Sequence, residues 1–179
     1  MPAFCEALRN SKSLRVLELE WVNLWADSAA AYQLIAAIEG HSALHELKLR
    51  NNPTDRTPAA QQAAGECLAR LIAQSSSLRG LDLSYDGLGE AGLEPFFQAL
   101  RSSTGLVKLI FGHSEQFSAE LAHDVVLPAV RANTSLRELE GVRWVAGEPL
   151  PAMEDVVVIL EARVLADEEA SFRADDSRR

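Results

Sequence analysis

Five leucines at similar intervals constrain the fold of this chain more than any other feature. Another leucine follows each of them after three positions, and the motif closes two positions later with Leu, Leu, Leu, Phe and Gly in turn. Apolar residues that alternate over so short a stretch are typical of a strand with one buried face. The pattern predicts one short strand in each of five repeats, whose first leucines are Leu14, Leu44, Leu78, Leu106 and Leu136, spaced by 30, 34, 28 and 30 residues.

A helical pattern precedes each predicted strand. Apolar residues stand ten and six positions before each aligned leucine, and a separation of four marks one face of a helix. Each repeat is therefore expected to contain a strand, a loop and an amphipathic helix. Because helices are wider than strands, stacked units of this kind should form a curved parallel sheet with helices on its convex side. The predicted fold class is an α/β solenoid, with helix positions Phe4 and Leu8, Leu34 and Ile38, Leu68 and Ile72, Phe96 and Leu100, and Val126 and Val130.

The chain divides into repeats, a cap and a tail. Residues 150–166 carry apolar residues at helical spacing after two prolines, which predicts a helix that covers the open end of the last repeat. Residues 167–179 contain many charges and one aromatic residue, so we expect them to be disordered. The five repeats are assigned to residues 1–149, with strands near 15–20, 45–50, 79–84, 107–112 and 137–141.

The third repeat carries the clearest family pattern. Residues 78–88 read LRGLDLSYDGL and are followed by Gly92, Phe96, Phe97 and Leu100. This pattern resembles the leucine-rich-repeat family, and the repeat length resembles its ribonuclease-inhibitor-like subtype. The resemblance implies an asparagine at the turn after each strand, where its side chain satisfies backbone groups. This chain has Val22, Asn52, Asp86, Ser114 and Trp144 at those positions.

Composition limits the classes of partner. The formal charge of -9 disfavours phosphate backbones and anionic lipid surfaces, so we expect neither a nucleic acid nor a membrane partner. The sequence lacks a long apolar run and a recognisable signal, which favours a cytoplasmic location. Cys5 and Cys67 fall at helical positions in different repeats, so we expect two buried thiols rather than a disulfide.

Catalytic and metal-binding motifs were sought as well. The sequence contains no phosphate-binding glycine loop, no paired metal-ligand spacing and no nucleophile elbow. Its four histidines are scattered, and no pair has the spacing of a zinc site. We therefore expect a protein that is not an enzyme and that uses no cofactor and no metal ion.

The predicted binding site is the concave face of the sheet, where positions between the buried leucines form rows across neighbouring strands. Aromatic and arginine side chains near the strand ends suggest protein binding, because such residues dominate binding hot spots. Alternatively, the charges form a ladder of exposed ion pairs, each worth under about 1 kcal/mol, and Trp21 only covers the first repeat. The candidate residues are Glu18, Glu20, Trp21, Lys48, Arg50, Asn51, Asp82, Ser84, Tyr85, Ile110, His113 and Arg143.

Two further features flank this face. Arg15, His45, Arg79 and Arg137 make a basic row where the strands begin, which could bind a partner or consist only of solvated arginines. The second repeat is longer than its neighbours around residues 52–58, which predicts a surface loop. Within that loop, Thr54 or Thr57 could cap the following helix.

The leading functional prediction is a module that binds a protein partner of unspecified identity and catalyses nothing. The resemblance leaves an alternative from another class, a regulator of a partner enzyme, because related proteins include enzyme inhibitors and a GTPase activator. A third possibility is the repeat segment of a larger receptor or bacterial effector. The sequence does not define an oligomeric state.

Overall fold

The computed structural model describes residues 2–112, 117–141, 144–145 and 148–176. Seven strands lie within these residues: β1 Val16–Glu18, β2 Glu46–Lys48, β3 Gly80–Asp82, β4 Lys108–Ile110, β5 Glu138–Glu140, β6 Trp144–Val145 and β7 Glu148–Pro149. The α-helices are α1 Pro2–Asn10, α2 Ser28–Ile38, α3 Pro58–Gln74, α4 Gly89–Leu100, α5 Ala119–Leu121, α6 Leu127–Ala132 and α7 Pro151–Asp176. A 3-10 turn covers Leu24–Ala26.

The first five strands form one parallel sheet in chain order, β1 to β5. Their pairing aligns the central leucines, so that the column read from the sequence is also the register of the sheet. Helices occupy the opposite side, which confirms the predicted α/β solenoid. The aligned residues are Leu17, Leu47, Leu81, Leu109 and Leu139.

The strands proper are three residues long, shorter than the predicted stretches of five or six. Backbone pairing nevertheless continues beyond them. The Leu19 N–H donates to the Lys48 carbonyl at 2.9 Å, and the equivalent bonds from Leu49, Leu83 and Phe111 reach the next strand at 2.7–2.9 Å. The predicted stretches are longer than the strands because they include these additional paired residues and the start of each turn.

A continuous apolar core separates the sheet from the helices. The leucine columns are buried except in the first repeat, where Leu14 and Leu19 are half-buried, and Cys5 and Cys67 are buried free thiols as predicted. Burial raises the pKa of the Cys67 thiol to about 11, so it carries no charge near neutral pH. Phe4 lies in α1 as predicted, but its side chain is 43% exposed.

Phe111 explains why the fifth repeat ends its motif with glycine. The Phe111 ring lies edge-on to Phe97, with centroids 5.3 Å apart, and is 2% exposed. A Cβ atom built on Gly141 would lie 2.3 Å from the ring. The larger side chain in repeat four therefore occupies the space that a fifth leucine would need.

Helix starts follow local capping rules. The Asp27 carboxylate accepts from the Ala30 N–H at the start of α2, and Ser118 caps α5 through the Leu121 N–H. Of the two candidate threonines, Thr57 caps α3, with Pro58 in the first helical turn. Residues 122–126 form a π-helical segment just before Pro128, whose missing N–H prevents a regular bond to Asp124.

Helix α7 corrects the predicted cap and tail. It begins near the predicted position but continues to Asp176, so residues 167–176 are helical rather than disordered. The Asp167 carboxylate binds Arg137 at 2.6 Å, and Glu169 pairs with Arg173 one turn later. Charge composition indicated disorder because it ignores helix propensity and this tertiary anchor. None of the helices in the described ranges has the length and apolar character needed to cross a bilayer.

Candidate functional site

The concave face consists of the side chains that point away from the helices along β1 to β5 and the turns that follow. Its first ion-pair cluster joins the first three strands. Lys48 pairs with Glu18, and the Arg50 guanidinium binds Glu20 at 2.5 Å and Asp82 at 3.5 Å. The hydrogen bond from Lys48 lowers the pKa of Glu18 and raises that of Lys48. These predicted site residues are brought together and already bind one another.

Asp82 and Ser84 are less available than predicted. Both residues are nearly buried, each 8% exposed. The Asp82 carboxylate accepts from the Ser84 backbone N–H at 3.0 Å and from its hydroxyl at 2.6 Å. The contact between Asp82 and Ser84 fixes the end of β3. Beside it, the guanidinium of Arg50 remains accessible to solvent.

A second ion-pair cluster lies over the last two strands and was missed in the sequence analysis. Lys108 binds Glu138 at 2.6 Å and Glu140 at 3.4 Å. These contacts raise the pKa of Lys108, first through the hydrogen bond from its amine to Glu138. The signal was available, because alternation along a strand puts residues two positions apart on the same face, here two positions before the row Glu18, Lys48, Asp82, Ile110 and Glu140. That overlooked row is Val16, Glu46, Gly80, Lys108 and Glu138.

A depression of about 540 Å³ separates the two clusters. Gly80 lies in its lining and contributes no side chain, and Ile110 supplies an apolar wall. At Gly112, beside it, an added Cβ would meet no atom within 4 Å. The middle of the concave face therefore has room for a side chain from a partner.

Exposed aromatic residues stand at the end of the strands. Trp21 is 75% exposed and Tyr85 is 50% exposed, and Asn51 lies between them in the neighbouring repeat. All three have left-handed backbones, with φ values of 59°, 61° and 63° in chain order. Asparagine tolerates this conformation, whereas bulky side chains rarely adopt it. The predicted residues His113 and Arg143, at the same position in later repeats, lie outside the described residues.

The basic row at the strand starts is mostly engaged with the protein itself. Arg15 contacts the His45 ring at 3.1 Å. Arg79 donates to the carbonyls of Ser76, Leu78 and Gly105, and Arg137 binds Asp167. These arginines tie neighbouring parts of the solenoid together, so they are not merely solvated side chains at the rim of the sheet.

The turn after β2 is held by the asparagine position of the family pattern. Asn52 is fully buried, and its side-chain oxygen accepts from the N–H groups of Val22 and Leu24. The inserted segment that follows is also anchored, since the Thr54 hydroxyl donates to the Gly87 carbonyl at 2.6 Å. The second repeat is thereby fixed to both neighbours beside the aromatic residues.

Within the residues that the structure describes, no three His, Cys, Asp or Glu side chains are grouped so that they could hold a metal ion. The concave face offers ion pairs, a depression with charged and apolar walls, and exposed aromatic side chains. Such a surface can bind another protein.

Solved structures resemble the chain over nearly its whole length. The "Leiomodin-1 Actin-Binding Site 2 (ABS2)" structure has a TM-score of 0.78 at 15% identity and covers 98% of this chain and 95% of that one. With five parallel strands in register and helices on one side, this match decides the fold. The chain has a leucine-rich-repeat fold. No protein-family model and no curated protein matches the sequence.

Two other solved structures are similar to this leucine-rich-repeat chain to different degrees. A tropomodulin C-terminal domain from Caenorhabditis elegans has a TM-score of 0.74 at 19% identity, covering 97% of this chain and 96% of that one. The leucine-rich-repeat-containing protein LegL7 from Legionella pneumophila has a TM-score of 0.44 at 12% identity, and the match covers 57% of the LegL7 chain. The LegL7 likeness is too weak to bear on the fold.

Proposed function

We propose that this leucine-rich-repeat chain is a non-catalytic module that binds a folded protein through its concave face. The observation that carries the proposal is the pair Trp21 and Tyr85, both exposed and both in left-handed backbone conformations. Holding a bulky residue there costs about 1–2 kcal/mol, and strain of this kind clusters at functional sites. Large aromatic side chains also supply much of the energy of protein interfaces.

The arrangement around the two aromatics supports the same proposal. Arg50 lies in the repeat between them and is held by Glu20 and Asp82, so its guanidinium is positioned before a partner arrives. The depression lined by Gly80 and Ile110 adjoins this cluster. A preorganised surface loses little side-chain entropy on binding, which favours affinity.

Actin is the first partner to test. The leiomodin structure is named as an actin-binding site, and it matches this chain from end to end. The likeness itself establishes only the fold, so the choice of actin rests on analogy. We further propose a cytoplasmic location, and a ribonuclease-inhibitor-like repeat type that is supported by units of 28–34 residues that each carry a helix.

The first experiment compares three proteins for binding to monomeric and filamentous actin. These are the wild type, the double variant Trp21→Asn and Tyr85→Asn, and the control Phe172→Asn. Phe172 is 76% exposed on α7, away from the concave face, so it matches the exposure of Trp21. Binding that is lost only in the double variant would support both the partner and the site. Binding that survives in all three would reject the concave face.

A partner-independent experiment separates the site from the choice of actin. A photo-crosslinking amino acid is placed at Tyr85 in one protein and at Phe172 in another, and both are expressed in the source cells. We expect a discrete crosslinked protein only from position 85. Equal crosslinking from both positions, or none from position 85, would contradict the proposed function even if actin does not bind.

A further inference from the structure

A second groove lies at the last repeat, between the outer edge of β5 and one face of α7. It has a volume of about 440 Å³, within the range of ligand-binding clefts. The helix contributes residues spaced by three and four positions, which therefore share one face. The apolar lining residues are Leu139, Val157, Leu160, Val164 and Leu165.

The outer edge of β5 retains unused pairing groups. At each earlier step of the sheet, the amide just after a strand donates to the next strand, as Phe111 N–H does to Glu140. At each step, the residue just before a strand also accepts two N–H groups, as Val107 does from Arg137 and Glu138. In the fifth repeat the equivalent groups are the Gly141 N–H and the Arg137 carbonyl. No sixth strand pairs with them in the part of the chain that the structure describes.

The rim of this groove is acidic. Glu161 and Glu168 line it, and no ion pair to either is found among the described residues. The nearby cations are already engaged, since Arg137 binds Asp167 and Arg163 donates to the carbonyls of Val130 and Leu136. In a chain of net charge -9, a second copy would bring like charges together. Charge complementarity therefore selects a basic occupant.

We propose that this groove binds an extended basic segment of a partner protein, which adds a sixth parallel strand to the sheet. Strand addition uses main-chain hydrogen bonds for affinity and alternate side chains for specificity. A residue in register with Leu139 faces the apolar side of α7. Residues in register with Glu138 and Glu140 face the concave side, where lysine would repeat the pairing that Lys108 makes with Glu138. The preferred segment therefore alternates basic and apolar residues.

Isothermal titration calorimetry with three synthetic peptides tests this proposal. The probe is a peptide of alternating lysine and valine, KVKVK. The acidic peptide EVEVE tests charge selection. A KVKVK peptide with N-methylated main-chain amides at its lysines tests main-chain pairing, because residues in register with Glu138 and Glu140 carry the N–H groups that donate to the preceding strand, as Glu138 itself donates to Val107. We expect measurable binding of KVKVK and at least about tenfold weaker binding of the other two.

Charge reversal in the groove locates the site. The double variant Glu161→Lys and Glu168→Lys should weaken KVKVK binding at least about tenfold. The control Glu66→Lys and Glu94→Lys changes the net charge equally at exposed positions on α3 and α4, and should bind like the wild type. Thermal unfolding checks that each variant is folded. No binding by the wild type, equal loss in both variants, or undiminished binding of the N-methylated peptide would overturn the proposal.

This proposal can fail separately from the proposed function. The Trp21→Asn and Tyr85→Asn variant leaves the β5 and α7 groove intact and should bind KVKVK normally. Sedimentation of the wild-type chain alone tests self-association. A dimer that the Glu161→Lys and Glu168→Lys variant abolishes would mean that a second copy occupies the groove, which would also overturn the proposal.

Discussion

The Asp86 carboxylate accepts a hydrogen bond from the Asn52 backbone N–H at 2.8 Å, so the turns of the second and third repeats are joined directly. Asn52 makes the full set of contacts expected at this position, including donation from its amide to the carbonyls of Leu19 and Leu49. Asp86 is also fully buried, but its second oxygen has no hydrogen-bond partner among the described residues. At the equivalent position of the second repeat, the Asn52 side-chain nitrogen donates hydrogen bonds. The second Asp86 oxygen therefore stands where the repeat pattern has a donor.

The carboxyl group of Asp86, in place of an asparagine amide, makes the stability of the folded chain depend on pH. Burial raises the pKa of Asp86 to about 8, and the charge of Asp82 adds to the effect while the hydrogen bond from Asn52 opposes it. The folded chain therefore keeps a proton that the unfolded chain releases near its ordinary pKa of 3.8. Stability from this group is highest at low pH and is lost as pH rises from about 4 to about 8. The loss from pH 6 to pH 9 should be on the order of 3 kcal/mol.

Asp86→Asn should remove that pH dependence. The amide supplies the missing donor without a charge, so the variant should exceed the wild type in stability most clearly at pH 9. Urea unfolding at pH 6 and pH 9 measures the difference, with the exposed carboxylate of Asp55 changed to asparagine as the control. An equal gain at both pH values would show that Asp86 does not titrate in this range.

Gly65→Ala should disrupt the packing of α3 on α4. A Cβ atom at Gly65 would lie 2.0 Å from the carbonyl oxygen of Gly92, and both positions are buried. Backbone must move to relieve that overlap, at a cost of about 1–3 kcal/mol or more. Chemical denaturation can compare this variant with Gly40→Ala, whose added Cβ meets no atom within 4 Å. Equal stabilities would contradict the close helix approach.

Asn133→Ala should cost about 2 kcal/mol or more, because it leaves several buried backbone groups unpaired. The Asn133 oxygen accepts from the N–H groups of Ser135 and Leu136, and its amide donates to Leu100 and Ser103, with distances of 2.7–2.9 Å. Thermal unfolding should show little change for the exposed neighbour Thr134→Ala. A small loss for Asn133→Ala would mean that water replaces these bonds.

Trp21→Asn should leave stability unchanged or raise it by up to about 1 kcal/mol, because asparagine adopts the left-handed conformation more readily. Asn51 already occupies the equivalent position in the next repeat with φ 61°. The control Phe172→Asn changes an equally exposed aromatic residue that lacks this backbone strain and should give no gain. A clear loss for Trp21→Asn in urea unfolding would assign the tryptophan to structure rather than binding.

The sequence determined the repeat and its register. The leucine columns recur at fixed positions, and burial of each column against its neighbours is sufficient to align the strands, because a slip by one residue would expose the column. The same reasoning identified the concave face and Trp21 and Tyr85 on it. It also placed Cys5 and Cys67 in the core.

Only the tertiary structure decided how neighbouring repeats use their side chains. Lys108 pairs with two glutamates, Asp82 is nearly buried against Ser84, and Phe111 fills the space opposite Gly141. Helix α7 continues to Asp176 and forms a groove beside β5. The pairing of Lys108 with Glu138 and the contact of Phe111 with Gly141 join residues 30 positions apart in the chain, whereas Asp82 and Ser84 are two positions apart. Periodicity reports which face a residue occupies, whereas its partner and its burial depend on the size and charge of neighbours in other repeats.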